Sequence, residues 1–205
     1  MTENVSLPAG RRGPADHAVR DQIVSAANEH FRHYGYGKTT VSDLAKAIGF
    51  SKAYIYKFFD SKRAIGEAIC ATSLGTIMAA AEQAIAGGVS ATDKLRGMFQ
   101  AMTTACAEFF FTDRKLYDIA AYAIEEGWQT TIRHEEKIRG AIAEIVREGR
   151  ESGEFERKTP LDETCRAIFL VMQPFVNPVM LQYGIDQVED ASKTVCNLVL
   201  RSLAP

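Results

Sequence analysis

Cysteine is scarce, with 4 in 205 residues, and Cys70, Cys106, Cys165 and Cys196 stand far apart, with no Cys-x-x-Cys and no histidine at zinc spacing. A disulfide-stapled scaffold and a zinc-ribbon are thereby excluded, and the four are read as buried thiols. Histidine is equally thin: none of His17, His30, His33 and His134 has a glutamate three residues before it, so the di-metal carboxylate site of a helical bundle lacks its ligands. His134-Glu135-Glu136 is not followed by a histidine at zincin spacing. No glycine-rich phosphate loop is present, and Ser, His and Asp have no motif context. The reading is therefore a non-enzyme with no catalytic residue, cofactor or metal. No run approaches the roughly 20 apolar residues of a membrane span. Met1-Thr2-Glu3-Asn4 lacks a basic start and Leu7-Pro8-Ala9-Gly10 an apolar core, so no signal peptide is expected and the protein should stay in the cytoplasm. A strand alternation with hairpin turns is also missing, which leaves an all-α chain.

A surplus of one charge is lacking too, since 24 Lys+Arg face 26 Asp+Glu. The balance is uneven along the chain, however. Residues 1–65 hold ten basic against six acidic side chains, and the remainder 14 against 20. A basic head on an acidic body orients a molecule on a polyanion and keeps the body off it.

Within that head, Thr39 to Phe59 reads as helix, tight turn, helix. Thr40 can cap the first helix with Asp43 returning the hydrogen bond, and Val41, Leu44, Ala45 and Ile48 share one face. Gly49 falls where a chain leaving a helix commonly needs a left-handed backbone. Ser51 can cap a second helix whose inward face is Ile55 with Phe58 or Phe59. Its outward face, Lys52, Ala53, Tyr54, Tyr56 and Lys57, mixes cations, hydroxyls and one small residue, as a helix entering the major groove requires. A pair of surface helices with a solvated polar side is the plainer alternative for this stretch alone.

Its neighbours add to the pattern. Upstream, Ile23, Ala26, Ala27, His30 and Phe31 form a helical stripe ending at Tyr34-Gly35-Tyr36, and downstream Asp60-Ser61-Lys62 opens a helix with Ile65 and Ile69 inward. The ordered series Ala26-Ala27, His30-Phe31, Tyr34-Gly35-Tyr36 and Thr39 through Lys62 resembles the DNA-binding domain of the TetR family of one-component transcriptional repressors. It covers a quarter to a third of the chain, at the amino end. Two positions depart from the family: His30, where leucine is usual, and Tyr54, where a small hydroxyl residue is common.

The resemblance implies an all-α architecture: an N-terminal three-helix helix-turn-helix DNA-binding domain and a C-terminal helical ligand-binding and dimerisation domain. The expected division is a flexible arm over 1–14 carrying Arg11-Arg12, the DNA-binding domain over 15–65, and the regulatory domain over 66–205. Thr39, Thr40, Ser51, Tyr56, Lys57 and Lys62 are expected to hold phosphates, with Lys52, Ala53 and Tyr54 facing bases and Lys38 also at the DNA. Implied partners are double-stranded DNA, a second copy of the chain and a small effector. A helical protein-interaction module or a ligand-binding protein without DNA binding is the alternative function.

The helix from Ser61 meets no strong breaker before Gly87-Gly88, so it can join head and body rigidly. Gly66 and Gly75 mark either flexible points or close packing. Further helices are expected from Asp93, Asp113, about Trp128, Thr159-Pro160 and Asp186, with Pro174 and Pro178 kinking or ending the one from Thr159-Pro160. Candidates for a pocket lining are Phe99, Met102, Tyr117, Tyr122, Trp128, Met172 and Phe175, against the plain reading of core. Such aromatics and thioethers favour an apolar or aromatic effector over a phosphorylated sugar. The family pairs its last two helices with those of a second copy, and Ile168, Met172, Val195, Leu198 and Val199 are the expected interface.

Overall fold

The computed structural model describes residues 14–112 and 114–205; the arm with Arg11-Arg12 and the helix start at Asp113 lie outside the described residues. The first three helices make the head: α1 (Pro14–Tyr34), α2 (Val41–Ile48) and the short α3 (Lys52–Ile55). The capping box of α2 forms as its residue types demand, with the Thr40 hydroxyl accepting from the Asp43 amide at 3.2 Å and the Asp43 carboxylate accepting from the Thr40 amide at 3.0 Å. Gly49 ends α2 at φ 76°, the left-handed conformation that a side chain would oppose. Ser51 caps α3 through the Tyr54 amide at 3.1 Å. The helix expected to run to Phe59 is α-helical only through Ile55. Beyond it the Lys57 amide bonds Tyr54 at 3.2 Å and the Phe58 amide bonds Ile55 at 2.9 Å, the three-residue step of a tighter turn.

From Ser61, which caps it, α4 (Lys62–Gly87) runs into the body of α5 (Ala91–Thr112), α6 (Arg114–Glu125), α7 (Gln129–Ser152), α8 (Leu161–Val176), α9 (Pro178–Leu181) and α10 (Val188–Ser202). A single 3-10 turn, Ile185–Gln187, stands where the last helix was expected to begin. Pro174 lies inside α8 two residues before its end, and Pro178 opens α9 under the Asn177 cap. No strand occurs among the described residues. The expectation that no segment is apolar enough to cross a membrane needs correction, since α4 passes that test by length and composition. In the fold that apolar character serves packing, for α1, α5, α6 and α7 all lie against α4.

Buried side chains form two cores. The head core gathers Ile23, Phe31, Leu44, Ile55 and Phe59 with Ile65 and Ile69 of α4, but also Ile119 and Ala123 of α6 and Trp128. The body core continues along α4 from Ile77, through Leu95, Met98, Phe99 and Met102 of α5, to α7, α8 and α10. Leu74 packs against both. The glycines of α4 differ in kind. A Cβ at Gly66 would lie 2.6 Å from the Trp128 ring, so close packing requires glycine there, whereas a Cβ at Gly75 would meet nothing within 4 Å.

Candidate nucleic-acid interface and ligand cavity

The surface built on α3 follows from what lies beneath it. Ile55 and Phe59 are buried against α1 and α2, which turns Ser51, Lys52, Ala53, Tyr56 and Lys57 outward. Tyr54 is half-buried, its ring held edge-on between Phe50 and Phe58 at 5.1 and 5.4 Å. Lys57 lies 5.6 Å from the centre of the Tyr54 ring and Lys52 lies 5.8 Å from that of Tyr56. Two ammonium groups, a tyrosine edge and the alanine methyl thus share one exposed strip. Lys38 and Thr40 are exposed at the neighbouring start of α2.

Two residues expected at phosphates are built inward instead. Thr39 is buried, and its hydroxyl donates to the Gly35 carbonyl at 2.9 Å, closing the corner between α1 and α2. Lys62 donates to the Tyr36 carbonyl at 3.0 Å and stands 4.3 Å over the Tyr36 ring. Burial lowers the pKa of that ammonium, partly offset by Glu126. Both side chains fasten the corner.

A cavity of about 110 Å³ opens in the seam between the two cores. One end is walled by head-core residues, Ile69, Cys70 and Ile119, and the other by body-core residues, Ile77, Cys106, Ile138 and Leu181, with Leu74 between. Polar tips come from Ser73, Tyr117, Thr131, His134, Gln173 and Asn177. Burial pushes the Cys70 and Cys106 thiols up to about 12, so both stay protonated at neutral pH. Burial, with a smaller contribution from Lys137, pushes His134 down to about 4, so its ring is neutral. No group of three or more His, Cys, Asp or Glu side chains that could hold a metal occurs among the described residues.

Of the side chains expected to line a pocket, Tyr117 does so. Phe99, Met102, Met172 and Phe175 are buried in the body core instead, the Phe99 and Phe175 rings packing at 5.6 Å. Trp128 is fully buried in the head core, donating from Nε1 to Glu126 at 2.9 Å. Tyr122 packs beside Tyr36 at 5.5 Å, with its hydroxyl over Gly37. Most of the aromatics named from sequence filled the cores, and of them Tyr117 alone reaches the cavity, whose wall also carries Phe109. One signal for that wall was present: Thr131, His134 and Ile138 recur at helical spacing on α7, putting a histidine on an inward face.

The expected interface residues also divide. Ile168, Met172 and Val199 are buried within the chain itself, and Val195 is half-buried. Leu198 is 60% exposed on α10, and α8 shows Leu170 and Val171 at 58% and 39%. The exposed apolar face of α8 and α10 therefore keeps Leu198 of the residues named from sequence and otherwise uses Leu170 and Val171, because a stripe read without neighbours does not reveal which side the chain's own core takes.

A trihelical head with an exposed capped helix, on a helical body with a cavity at the seam, defines a helix-turn-helix regulator fold. Residues 23–69 match the model of the bacterial regulatory proteins of the tetR family, and residues 91–196 match the tetracyclin repressor-like C-terminal domain. The chain belongs to the TetR family. The biofilm operon icaADBC HTH-type negative transcriptional regulator IcaR of Staphylococcus aureus is 41% identical over 49 residues, 24% of this chain and 26% of IcaR. The chain thus spans about a quarter of the length of the curated relatives it matches. The fatty acid degradation regulator FadR of Bacillus halodurans superposes with TM-score 0.69 at 22% identity, over 93% of this chain and 97% of that one. FadR of Bacillus subtilis in complex with stearoyl-CoA gives 0.67 at 22%, over 89% and 98%. The regulator PfmR of Thermus thermophilus gives 0.58 at 26%, over 91% and 97%.

Proposed function

We propose that this protein is a ligand-responsive transcriptional repressor of the cytoplasm that binds a pseudo-palindromic operator as a homodimer. The observation that carries this reading is the exposed strip Ser51, Lys52, Ala53, Tyr54, Tyr56 and Lys57, borne on a helix whose inner side is anchored in a dedicated core. Lys57, Lys38, Tyr56 and the exposed caps Thr40 and Ser51 meet phosphates, while Lys52, Ala53 and the edge of Tyr54 face bases. One head reaches one half-site. Two heads related by a two-fold axis reach sites a helical turn apart, ~34 Å or a multiple, and the bare Leu170, Val171 and Leu198 face supplies the surface on which the copies join.

An apolar effector in the seam cavity releases the operator by favouring a dimer whose heads no longer match the groove spacing. Support comes from the position of the cavity between the two cores, and from a structural neighbour, FadR of Bacillus subtilis, whose structure is a complex with stearoyl-CoA. The test is recovery of genomic fragments on the purified protein, followed by anisotropy titrations at several salt concentrations. Lys57→Ala should weaken binding at every fragment and flatten the salt slope by about one unit, whereas Tyr54→Ala should reorder the fragments. Duplex binding that is indifferent to salt, or a ranking unmoved by Tyr54→Ala, defeats the assignment.

A further inference from the structure

Resting on the operator-binding reading, the packing around α3 gives two half-buried rings a part in sequence choice. We propose that Phe50 and Phe58 are positioning residues, which clamp the Tyr54 ring so that its hydroxyl reads one base pair of each half-site from a fixed place in the groove.

The clamp compensates for a short helix. α3 is α-helical only over Lys52–Ile55, and a single turn has little stability of its own with which to fix an outward side chain. Tyr54 lies in that turn, and its supports lie outside it. Phe50 precedes the Ser51 cap, its amide donating to the Ala45 carbonyl at 3.0 Å, and Phe58 follows in the tighter turn, its amide donating to the Ile55 carbonyl at 2.9 Å. Both rings pack against the head core. Tyr54 meets the Phe50 ring at 5.1 Å and 79° and the Phe58 ring at 5.4 Å and 73°. These are the edge-to-face geometries that aromatic pairs favour.

The clamped ring carries a free polar group. Tyr54 makes no hydrogen bond among the described residues, and its hydroxyl is not one of their buried unpaired oxygens, so it is open to solvent. A phenol can donate one hydrogen bond and accept others, so a swinging hydroxyl would satisfy several base edges equally. Held in one place, it meets only the edge that falls opposite it, and a wrong base there leaves it unpaired. A clamped side chain also has less rotamer freedom to lose when the duplex arrives. Lys57 stands 5.6 Å from the centre of the same ring, so a substitution that keeps the ring leaves the ammonium its seat.

The test is selection of duplexes from a random-sequence pool on the full-length protein at fixed salt, followed by sequencing to give the base preference at each position. Tyr54→Phe, which removes the hydroxyl and keeps the ring, should flatten one position of each half-site by about five- to tenfold. Phe50→Leu and Phe58→Leu should each flatten that same position by at least about threefold and leave the others unchanged, with affinity for unselected duplex held within about twofold. Phe50→Tyr and Phe58→Tyr, which keep the rings, should retain the wild-type profile. Circular dichroism checks that each variant is folded, and methionine, a flexible apolar filler, replaces leucine where it is not. A loss spread evenly over all positions, or a Tyr54 position untouched in both ring-deleted variants, overturns the inference and leaves the regulator reading intact. A Tyr54→Phe profile identical to wild type does the same. A wild-type profile with no preference at any position overturns the inference and the operator-binding reading together.

Discussion

The indole of Trp128 stands edge-on to the ring of Tyr36, centroids 5.4 Å apart and planes at 67°. Tyr36 occupies the corner between α1 and α2, where its carbonyl receives the Lys62 ammonium, and burial pushes its own phenol up to about 12. Trp128 directly precedes α7, three residues before Thr131 of the cavity wall. Trp128 therefore packs the start of α7 directly against the corner between α1 and α2.

Filling the space in front of that indole should loosen the joint. Gly66→Ala is expected to destabilise by about 1–3 kcal/mol, because the new methyl overlaps a fully buried ring. Gly75→Ala, in open space on the same helix, should instead stabilise by up to about 1 kcal/mol. Thermal denaturation followed by circular dichroism checks the opposite signs. Trp128, the one tryptophan in the chain, should change its emission only in the first variant.

Loss of the cap hydroxyl at α2 has a smaller and more local effect. Thr40→Ala removes the acceptor for the Asp43 amide and should cost about 1 kcal/mol. Thr40→Ser keeps the hydroxyl and should melt within a degree or two of wild type. Equal melting temperatures for the alanine and serine variants would show that the capping box contributes nothing.

Charge on the bare face should separate the copies. Leu170→Glu combined with Leu198→Glu is expected to leave helicity unchanged, since both side chains are more than half exposed. Light scattering should then report a monomer, and operator affinity should fall by about 100-fold or more as the second head is lost. A doubly substituted protein that still elutes as a dimer places the interface elsewhere.

Acid should weaken the fold through His134. Its folded pKa lies near 4 against an ordinary 6.5, so between those values the unfolded chain binds the proton and the folded one does not. Stability from this group is complete above about pH 6.5 and declines as pH falls toward 4, by at most about 3 kcal/mol. Urea titrations from pH 7 to 4 should show that decline, and His134→Gln should flatten it. An equal slope in both proteins assigns the acid sensitivity to other groups.

The head was legible from sequence because its signals are local: a capping pair three residues apart, a glycine after the last periodic residue, and a serine opening the next helix. The cavity and the outer face were not, because both depend on which of several apolar stripes the core takes. Phe99, Met102 and Met172 looked like pocket walls and became core, while His134 drew attention only as a failed metal ligand. Thr39 and Lys62 show the same limit at short range. A hydroxyl and an ammonium beside a recognition helix read alike whether they point to a partner or fasten a corner.

Because Ile119, Ala123 and Trp128 complete the amino-terminal core, a fragment cut in the fourth helix just after Ile69 would expose the apolar undersides of Ile65 and Ile69. Chimeras that graft this reader onto a foreign sensor must therefore carry the sixth helix along with it, a noncontiguous transplant that a cut made at the apparent linker would spoil.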